Sequence, residues 1–238
     1  MERLKLAIPA PILQEAPLSP EERMYFEIYD ATMEHRLPAG TKLTEQALGE
    51  IYHLARHNVR KVLGKLAADG LVEIEPNRGA YIASPNEQEA EDMFELRQNL
   101  EQLAIQKVSR QATAADFKKM RHMIEREREA YMQGNRPLWI RLSADFHIEL
   151  AKLSGNQLLV DMLRRLVSRT TLLISNTDSA GQQPCSFDDH LSVIDALESR
   201  NEQLACREMA NHLEQCACRM LRTDKRFDLR TALGKPSA

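Results

Sequence analysis

Positive charge without acidic neighbours marks one segment of this chain, residues 51–68. The segment holds four Lys and Arg side chains and no Asp or Glu, whereas residues 20–84 as a whole hold 8 Lys and Arg against 10 Asp and Glu. Arg can read guanine through two parallel hydrogen bonds, Asn can read adenine, and Lys binds phosphates. The candidate nucleic-acid contacts in this segment are Arg56, His57, Asn58, Arg60, Lys61 and Lys65. Beyond it, Arg78 lies in a turn from which it could reach the adjacent minor groove.

Three of the seven histidines stand out by their positions further along the chain. His190 lies about ten residues before a turn at Arg200-Asn201, and His212 lies about eleven after it. At roughly 1.5 Å rise per residue the two helical legs have about the same length, so the two imidazoles are level in a helical hairpin. His147 lies in the middle of another apolar helix. A single histidine in such a place is usually a core residue, but matched heights favour a shared role.

The four cysteines do not form the pattern of a disulfide framework, because three of them are crowded between Cys206 and Cys218. Cys216 and Cys218 resemble a chelating pair only superficially, since helical positions this close diverge around the axis. We therefore expect them to be small apolar residues rather than ligands.

Two helices are predicted ahead of the basic segment. The first runs over residues 20–36, with Ser19 suited to its N-cap and Pro20 to its first position. The second is short and begins after Thr44 as N-cap. Its expected inward-facing residues are Ala47, Leu48 and Ile51. Residues 1–19 show no periodicity and form an expected disordered lead-in.

The basic segment forms a third helix, predicted over residues 56–69, with Gly70 just after its C-terminus. Its expected core positions are Val59, Val62, Leu63 and Leu66. Two short β-prone runs follow, joined through residues 76–79 as a hairpin. Three helices and a hairpin outline a winged helix-turn-helix. An isolated basic helix is more often the solvated face of a surface helix, but this arrangement favours DNA binding.

After Ser84-Pro85 the chain changes to long amphipathic helices separated by short breaks. They are predicted near residues 87–111, 114–133, 136–153, 156–176, 185–199 and 201–223, with a polar loop over 177–184. The fold class is therefore mainly α: a winged helix-turn-helix DNA-binding domain over 20–84 with a small β-hairpin, then an all-α helical bundle over 87–223. Residues 224–238 are an expected tail.

The amino-acid composition disfavours several other classes of fold and of protein. Only 9 glycines and 5% aromatic residues disfavour many-stranded sandwiches and barrels. The 32 Lys and Arg nearly balance the 35 Asp and Glu, so overall charge does not decide for or against a polyanion partner. No apolar run approaches the roughly 20 residues of a membrane span, and the N-terminus lacks the features of a signal peptide. We expect a soluble, reduced, cytoplasmic protein.

The N-terminal region resembles the DNA-binding module of GntR-family transcription regulators. The resemblance spans some 45 residues, from Leu37-Pro38 to the Arg78-Gly79 pair, and includes the two arginines of the third helix. It implies base contacts from Arg56 and Arg60 and minor-groove contacts from the wing tip. The second helix adds Thr44 and Gln46 to the expected DNA contacts. Gln46 stands where the family has an arginine, and Ala55 and Asn58 also depart from the family pattern, so the operator may differ from the family's common half-site.

The helical half resembles the FadR-type (FCD) ligand-binding bundle of the same family over nearly all of residues 88–222. In many members three histidines and an acidic or amide residue hold a divalent metal beneath an effector cavity. The resemblance implies that His147, His190 and His212 are those ligands, with zinc, nickel or manganese as the metal. Ser143 stands at the fourth position, where a neutral hydroxyl is a poor ligand, so water or an effector oxygen is expected to complete the site.

The resemblance also implies an effector site formed by Arg97, Ser143 and Arg169, which would favour a small carboxylate. The alternative for Arg97 is an i,i+4 salt bridge with Glu101. We therefore expect a homodimeric transcription regulator, in the family's commoner mode a repressor, that binds a palindromic operator and responds to this effector. Two alternatives are a regulator that senses the metal itself and an enzyme using the three histidines. The enzyme would need a general base, and no carboxylate at clear spacing supplies one.

Overall fold

The structure, a computed structural model, describes residues 18–33, 36–177 and 187–222. The predicted lead-in up to residue 17, the polar loop beyond Thr177 and the tail beyond Arg222 lie outside the described residues. Among the described helices, none combines the length and the apolarity that crossing a bilayer requires. The architecture is the expected one, a winged helix-turn-helix followed by an all-helical bundle.

The N-terminal module consists of three helices and three short strands. Its elements are α1 (Pro20–Met33), β1 (Lys42–Leu43), α2 (Glu45–Tyr52), α3 (Arg56–Ala68), β2 (Val72–Glu75) and β3 (Gly79–Ile82). The strands form one antiparallel sheet in the order β1-β3-β2, with Lys42 opposite Tyr81 and Val72 opposite Ile82. Strand β1 was not predicted, because two residues are too few to show a periodicity.

Local capping explains where these helices begin and end. The Ser19 hydroxyl accepts a hydrogen bond from the Glu22 amide, and the Glu22 carboxylate accepts one from the Ser19 amide. The Thr44 hydroxyl accepts from the Ala47 amide at the start of α2. Gly70 follows α3 with φ of +79°, and the Leu71 amide donates to the Leu66 carbonyl, which closes the last turn.

Two details of the predicted module are wrong. The first helix does not reach Arg36, which already lies in a bend, because Pro38 and Gly40 follow immediately. On α2 only Leu48 is buried, whereas Ala47 is exposed and Ile51 is 65% exposed. A helix of eight residues packs a single narrow face on its neighbours, so hydrophobic spacing overstated how much of it is inside.

The bundle follows the predicted helices closely. Its elements are α4 (Glu87–Gln111), α5 (Ala114–Met132), α6 (Arg136–Leu153), α7 (Gln157–Thr177), α8 (Phe187–Glu198) and α9 (Glu202–Arg222). Side-chain caps begin five of them: Asn86 and Thr113 form capping boxes with Glu89 and Asp116, and Asn135, Asn156 and Asn201 cap α6, α7 and α9. These are local signals, which is why the sequence located the boundaries within one or two residues.

Module and bundle share a continuous apolar junction. The core built on the module's Met24, Ile28, Val59 and Leu66 continues into Trp139 and Leu142 of α6 and Leu172 of α7. The module is therefore packed against the bundle through an apolar core as well as through a linker.

Polar contacts reinforce this junction. The Arg169 guanidinium of α7 lies 2.9 Å from Glu73 of β2 and 3.5 Å from Glu89 of α4. Arg164 of α7 lies 3.8 Å from Asp69, just after α3. Arg141 of α6 lies 3.2 Å from Asp30 of α1. Because these pairs join different elements, they fix the orientation of the module on the bundle.

The module's backbone comes close to α7 at Gly70, and this predicts a specific cost for Gly70→Ala. A Cβ there would lie 3.0 Å from the Arg165 carbonyl oxygen and 2.8 Å from Arg169 Cγ. Gly40 has nearly the same φ, +75°, but a Cβ there would meet nothing within 4 Å. Gly40→Ala should lose about 1 kcal/mol of unfolding free energy from backbone strain alone. Gly70→Ala should lose a further 1–3 kcal/mol or so from overpacking.

Urea unfolding of both variants measures the two costs, with Gly40→Ala as the matched control. Equal losses in the two variants would contradict the close approach of module and bundle at Gly70.

Candidate DNA-binding groove and metal centre

An open groove of about 700 Å³ lies between the start of α2, the start of α3 and the β2–β3 hairpin. Six of the predicted DNA contacts line it: Thr44, Gln46, Arg56, Arg60, Arg78 and Gly79. Lys42 of β1 also lines it, a cation that was not predicted because its strand was not recognised. The fold thus brings helix and hairpin cations, separated by some twenty residues in sequence, to one surface.

The two arginines of α3 are held by a single carboxylate. Glu45 forms ion pairs with Arg56 and, at 2.7 Å, with Arg60. Hydrogen bonds from both guanidinium groups hold the pKa of Glu45 below its usual range. The arginines are 76% and 63% exposed, so an entering phosphate or base can compete for them. Arg78, at the hairpin tip, pairs with Glu75 at 2.6 Å and is equally open to solvent.

The remaining predicted contacts lie outside this groove. His57 is exposed and Asn58 half-buried on α3. Lys61 and Lys65 line a second depression with Tyr25 of α1, where the Lys65 ammonium lies 4.3 Å from the centre of the Tyr25 ring. They therefore face the α1 side of the module, where only phosphates beyond the groove would reach them.

The three predicted metal-ligand histidines meet inside the bundle. His147 comes from α6, His190 from α8 and His212 from α9, and each is at most 4% exposed. One ring nitrogen of each lies within 4.8 Å of the others. The Nε2 atoms of His147 and His212 are 3.3 Å apart. We call these three residues the histidine cluster.

Each imidazole of the histidine cluster is held from behind by a carboxylate. His147 Nδ1 lies 2.6 Å from Glu101 of α4, and His190 Nδ1 lies 2.9 Å from Glu127 of α5. His212 Nδ1 lies 3.3 Å from Asp189 of α8. A carboxylate at Nδ1 fixes the tautomer and the ring orientation of a histidine whose Nε2 binds a metal.

This arrangement directs two lone pairs at each other. When Nδ1–H donates to a carboxylate, Nε2 of a neutral imidazole is an acceptor. Burial lowers the pKa of His147 to about 3 and that of His212 to about 4, against the pull of Glu101 and Asp189, so both rings are neutral near pH 7. With Nδ1–H of each ring toward its carboxylate, the Nε2 lone pairs of His147 and His212, 3.3 Å apart, are both available to a cation.

The donor set fits a divalent transition metal. Two nitrogens bound at roughly 2.0–2.1 Å to one tetrahedral zinc ion are about 3.3 Å apart, which is the separation between His147 and His212. Neutral imidazoles suit zinc, nickel and copper, and they need not lose a proton to bind. Ser143 lies one helical turn before His147 and is half-buried, so it places a hydroxyl where the family resemblance implies an acid.

The two predicted effector arginines have separate environments. Arg97 is 2% exposed, and its Nε donates to Glu101 Oε1 at 2.9 Å, which is the i,i+4 salt bridge weighed as its alternative. Its Nη1 donates to the Thr170 hydroxyl of α7. Burial raises the pKa of Glu101, but His147 and Arg97 outweigh it and leave that pKa below its usual range.

Arg169 lies away from the histidine cluster's carboxylates. It is predicted at the effector site, and in the structure its guanidinium binds Glu73 and Glu89 at the junction of module and bundle. The resemblance assigned it a position on α7 without showing which neighbours the module would bring to that helix. Its charge is already engaged there.

Glu127 and Asp189 were not among the predicted site residues. Glu127 could have been found, because it continues the buried stripe of Phe117, Met120 and Ile124 on α5, where a carboxylate needs a partner. Asp189 directly precedes His190, but its contact with His212 depends on how α8 and α9 pack.

Comparison with known proteins places this geometry in a family. The profile of bacterial regulatory proteins of the gntR family matches residues 20–82, and the FCD domain profile matches residues 92–215. The chain belongs to the GntR family. The match covers both the winged module and the bundle, so this GntR protein is a transcription regulator with an FCD effector-binding domain.

The curated relatives are regulators as well. The transcriptional repressor RspR of Escherichia coli is 24% identical over 203 residues, which cover 84% of this chain and 88% of that protein. The Uxu operon regulator of Haemophilus influenzae is 28% identical over 193 residues, 74% of this chain and 72% of that protein. Families and relatives are regulators, not enzymes, which decides against the enzyme alternative.

Solved structures support the fold. The E. coli protein McbR/YncC superposes with a TM-score of 0.73 at 15% identity, covering 86% of this chain and 98% of that one. A GntR-type transcriptional regulator from Rhodococcus sp. RHA1 gives 0.70 at 22% identity, covering 86% and 99%. At these identities the likeness concerns the fold alone.

The neutral, buried histidines predict an acid-dependent loss of stability in metal-free protein. The unfolded chain takes up a proton at each histidine near pH 6.5, whereas His212 in the folded protein resists protonation down to about pH 4. The stability that the neutral His212 contributes is therefore fully present above about pH 6.5 and is lost as the pH falls to about 4. This loss is about 3 kcal/mol of unfolding free energy. Denaturant unfolding in the presence of a chelator at several pH values measures it.

His212→Gln should flatten this pH dependence by about the same amount, because glutamine does not titrate. His122→Gln, at an exposed histidine on α5, serves as the control and should leave the dependence unchanged. An unaltered pH dependence in His212→Gln would contradict the neutral, buried state of the imidazole.

Proposed function

We propose that this GntR regulator is a homodimeric repressor that binds a palindromic operator and responds to a small carboxylate bound beside a metal at the histidine cluster. The DNA-binding part of this proposal rests on the groove, in which arginines from α3 and the hairpin tip face one surface. Repression is supported by the printed role of RspR, a transcriptional repressor that shares 24% identity with this chain.

In the proposed complex, α3 enters the major groove with Arg56 and Arg60 toward base edges, and Arg78 approaches the adjacent minor groove. Glu45 holds both α3 arginines through ion pairs before DNA arrives. This reduces the side-chain entropy lost on binding, although bases must compete with its carboxylate. Lys61 and Lys65 would contact phosphates flanking the site.

The dimer interface is proposed on the exposed apolar faces of α4 and α7. These helices pack against each other within one subunit and leave four large apolar side chains exposed: Leu96, Leu103, Leu158 and Met162. Contiguous exposed apolar side chains of this kind mark protein–protein contacts. A second copy of the chain is the proposed occupant, because a two-fold dimer explains a palindromic operator.

The proposed metal is held by His147, His190 and His212, with Glu101, Glu127 and Asp189 fixing the three rings. When bound, the metal would supply a Lewis acid that attracts a carboxylate oxygen. Arg97 provides a second anchor. Its buried guanidinium pairs with Glu101, with Nη2 2.8 Å from Oε1, and an effector carboxylate would compete with Glu101 for this group.

Helix α7 is the proposed route from effector to DNA. Thr170 accepts a hydrogen bond from Arg97, and the preceding residue, Arg169, binds Glu73 in the sheet of the module. A carboxylate that draws Arg97 away from Thr170 would release or shift α7, and with it the module. The carboxylate changes the free energy of DNA binding by the difference between its own binding free energies for the two arrangements of α7 and the module.

Selection of binding sites from a random duplex pool tests the DNA-binding proposal. Enriched duplexes should carry an inverted repeat whose half-sites are about one helical turn apart. Arg56→Ala and Arg60→Ala should each weaken affinity for the selected duplex by about 5- to 150-fold, because a base contact is worth about 1–3 kcal/mol. Lys118→Ala, at an exposed cation of α5, is the control and should bind like wild type.

Wild-type affinity in Arg56→Ala would contradict the proposed reading helix, and enrichment of a single unrepeated half-site would contradict the dimer. The selected duplex then serves to screen small carboxylates on metal-loaded protein. The proposed effector is one that lowers the affinity for this duplex.

A further inference from the structure

We propose that Cys216 supplies the fourth protein ligand of the metal centre, in place of the acid that Ser143 replaces. This inference rests on the proposed metal at the histidine cluster. It concerns a residue that lies one helical turn after His212 on α9, so the two side chains share a face of that helix.

The position of the thiol supports this role. Cys216 is 3% exposed, and its Sγ lies 3.9 Å from His212 Nε2, the nitrogen that also faces His147. A nitrogen and a sulfur bound to one tetrahedral zinc ion are about 3.6 Å apart, so this pair is close to the separation required. The sulfur is not among the atoms that all lie within 4.8 Å of one another, so ligation requires the Cys216 side chain to move toward the other two histidines.

The chemistry of the site favours a thiolate there. A hydroxyl at Ser143 is a poor ligand for zinc or nickel, whereas a thiolate binds both strongly. Cys218, two residues on, is exposed, so the two cysteines diverge as helical spacing requires and do not form a pair. A site of three histidines and one cysteine should therefore prefer zinc, cobalt or nickel to manganese, which favours oxygen ligands. An effector carboxylate would then bind as a fifth ligand.

Cobalt(II) tests this assignment spectroscopically in the full-length protein under reducing conditions. A thiolate bound to cobalt gives a charge-transfer band in the near ultraviolet, while the visible d–d bands report cobalt coordination by any ligand. Wild-type protein should show both. Cys216→Ser should keep visible bands but lose the charge-transfer band. Its zinc affinity should fall by more than about 100-fold. Losing only a hydrogen-bond partner of a metal ligand already lowers metal affinity by about 10- to 100-fold.

Cys218→Ser is the matched control, on the same helix but at an exposed position, and should retain both sets of bands. Visible bands without a charge-transfer band in wild type, or a charge-transfer band that persists in Cys216→Ser, would overturn the role of Cys216 and leave the three-histidine site standing. No cobalt bands at all would overturn the metal centre and this inference together.

Discussion

Three buried imidazoles, each against a carboxylate, are the constraint on which the bundle depends. Burying a carboxylate costs several kcal/mol unless a positive charge lies against it. Arg97 compensates Glu101, and the bundle also buries Glu127 behind His190. A divalent cation among the rings would place positive charge near this second carboxylate. The same ion would bridge the neighbouring Nε2 atoms of His147 and His212.

The structure also depends on the junction between the bundle and the module. Helix α7 contacts both the interior of the bundle and the module. Its Thr170 contacts the arginine that holds Glu101, and its Arg169 and Leu172 contact the module through an ion pair and the shared core. Packed interiors transmit displacement because they contain little free space. A ligand that shifts α7 must therefore move the sheet or strain the junction, which gives a GntR regulator a direct mechanical connection between its two parts.

Local signals in the sequence predicted the elements well, and long-range partners poorly. Caps such as Thr44 and Asn86 act over three residues, so helix boundaries followed directly. The resemblance located the histidines, and the equal helical legs around Arg200-Asn201 indicated that two of them meet. The contact between Arg169 and Glu73 could not be predicted, because the two residues lie 96 positions apart in the sequence. Cys216 was read as a packing residue, since nothing in the sequence shows that its sulfur lies against His212 Nε2.

Metal analysis by inductively coupled plasma mass spectrometry tests the central claim most directly. Purified wild-type protein should contain about one zinc, nickel or cobalt ion per chain, and a His147→Ala/His190→Ala double variant that still folds should contain none. Absence of metal in wild type after incubation with excess ions would contradict the account. So would an equal metal content in the double variant, because the ion would then be bound elsewhere.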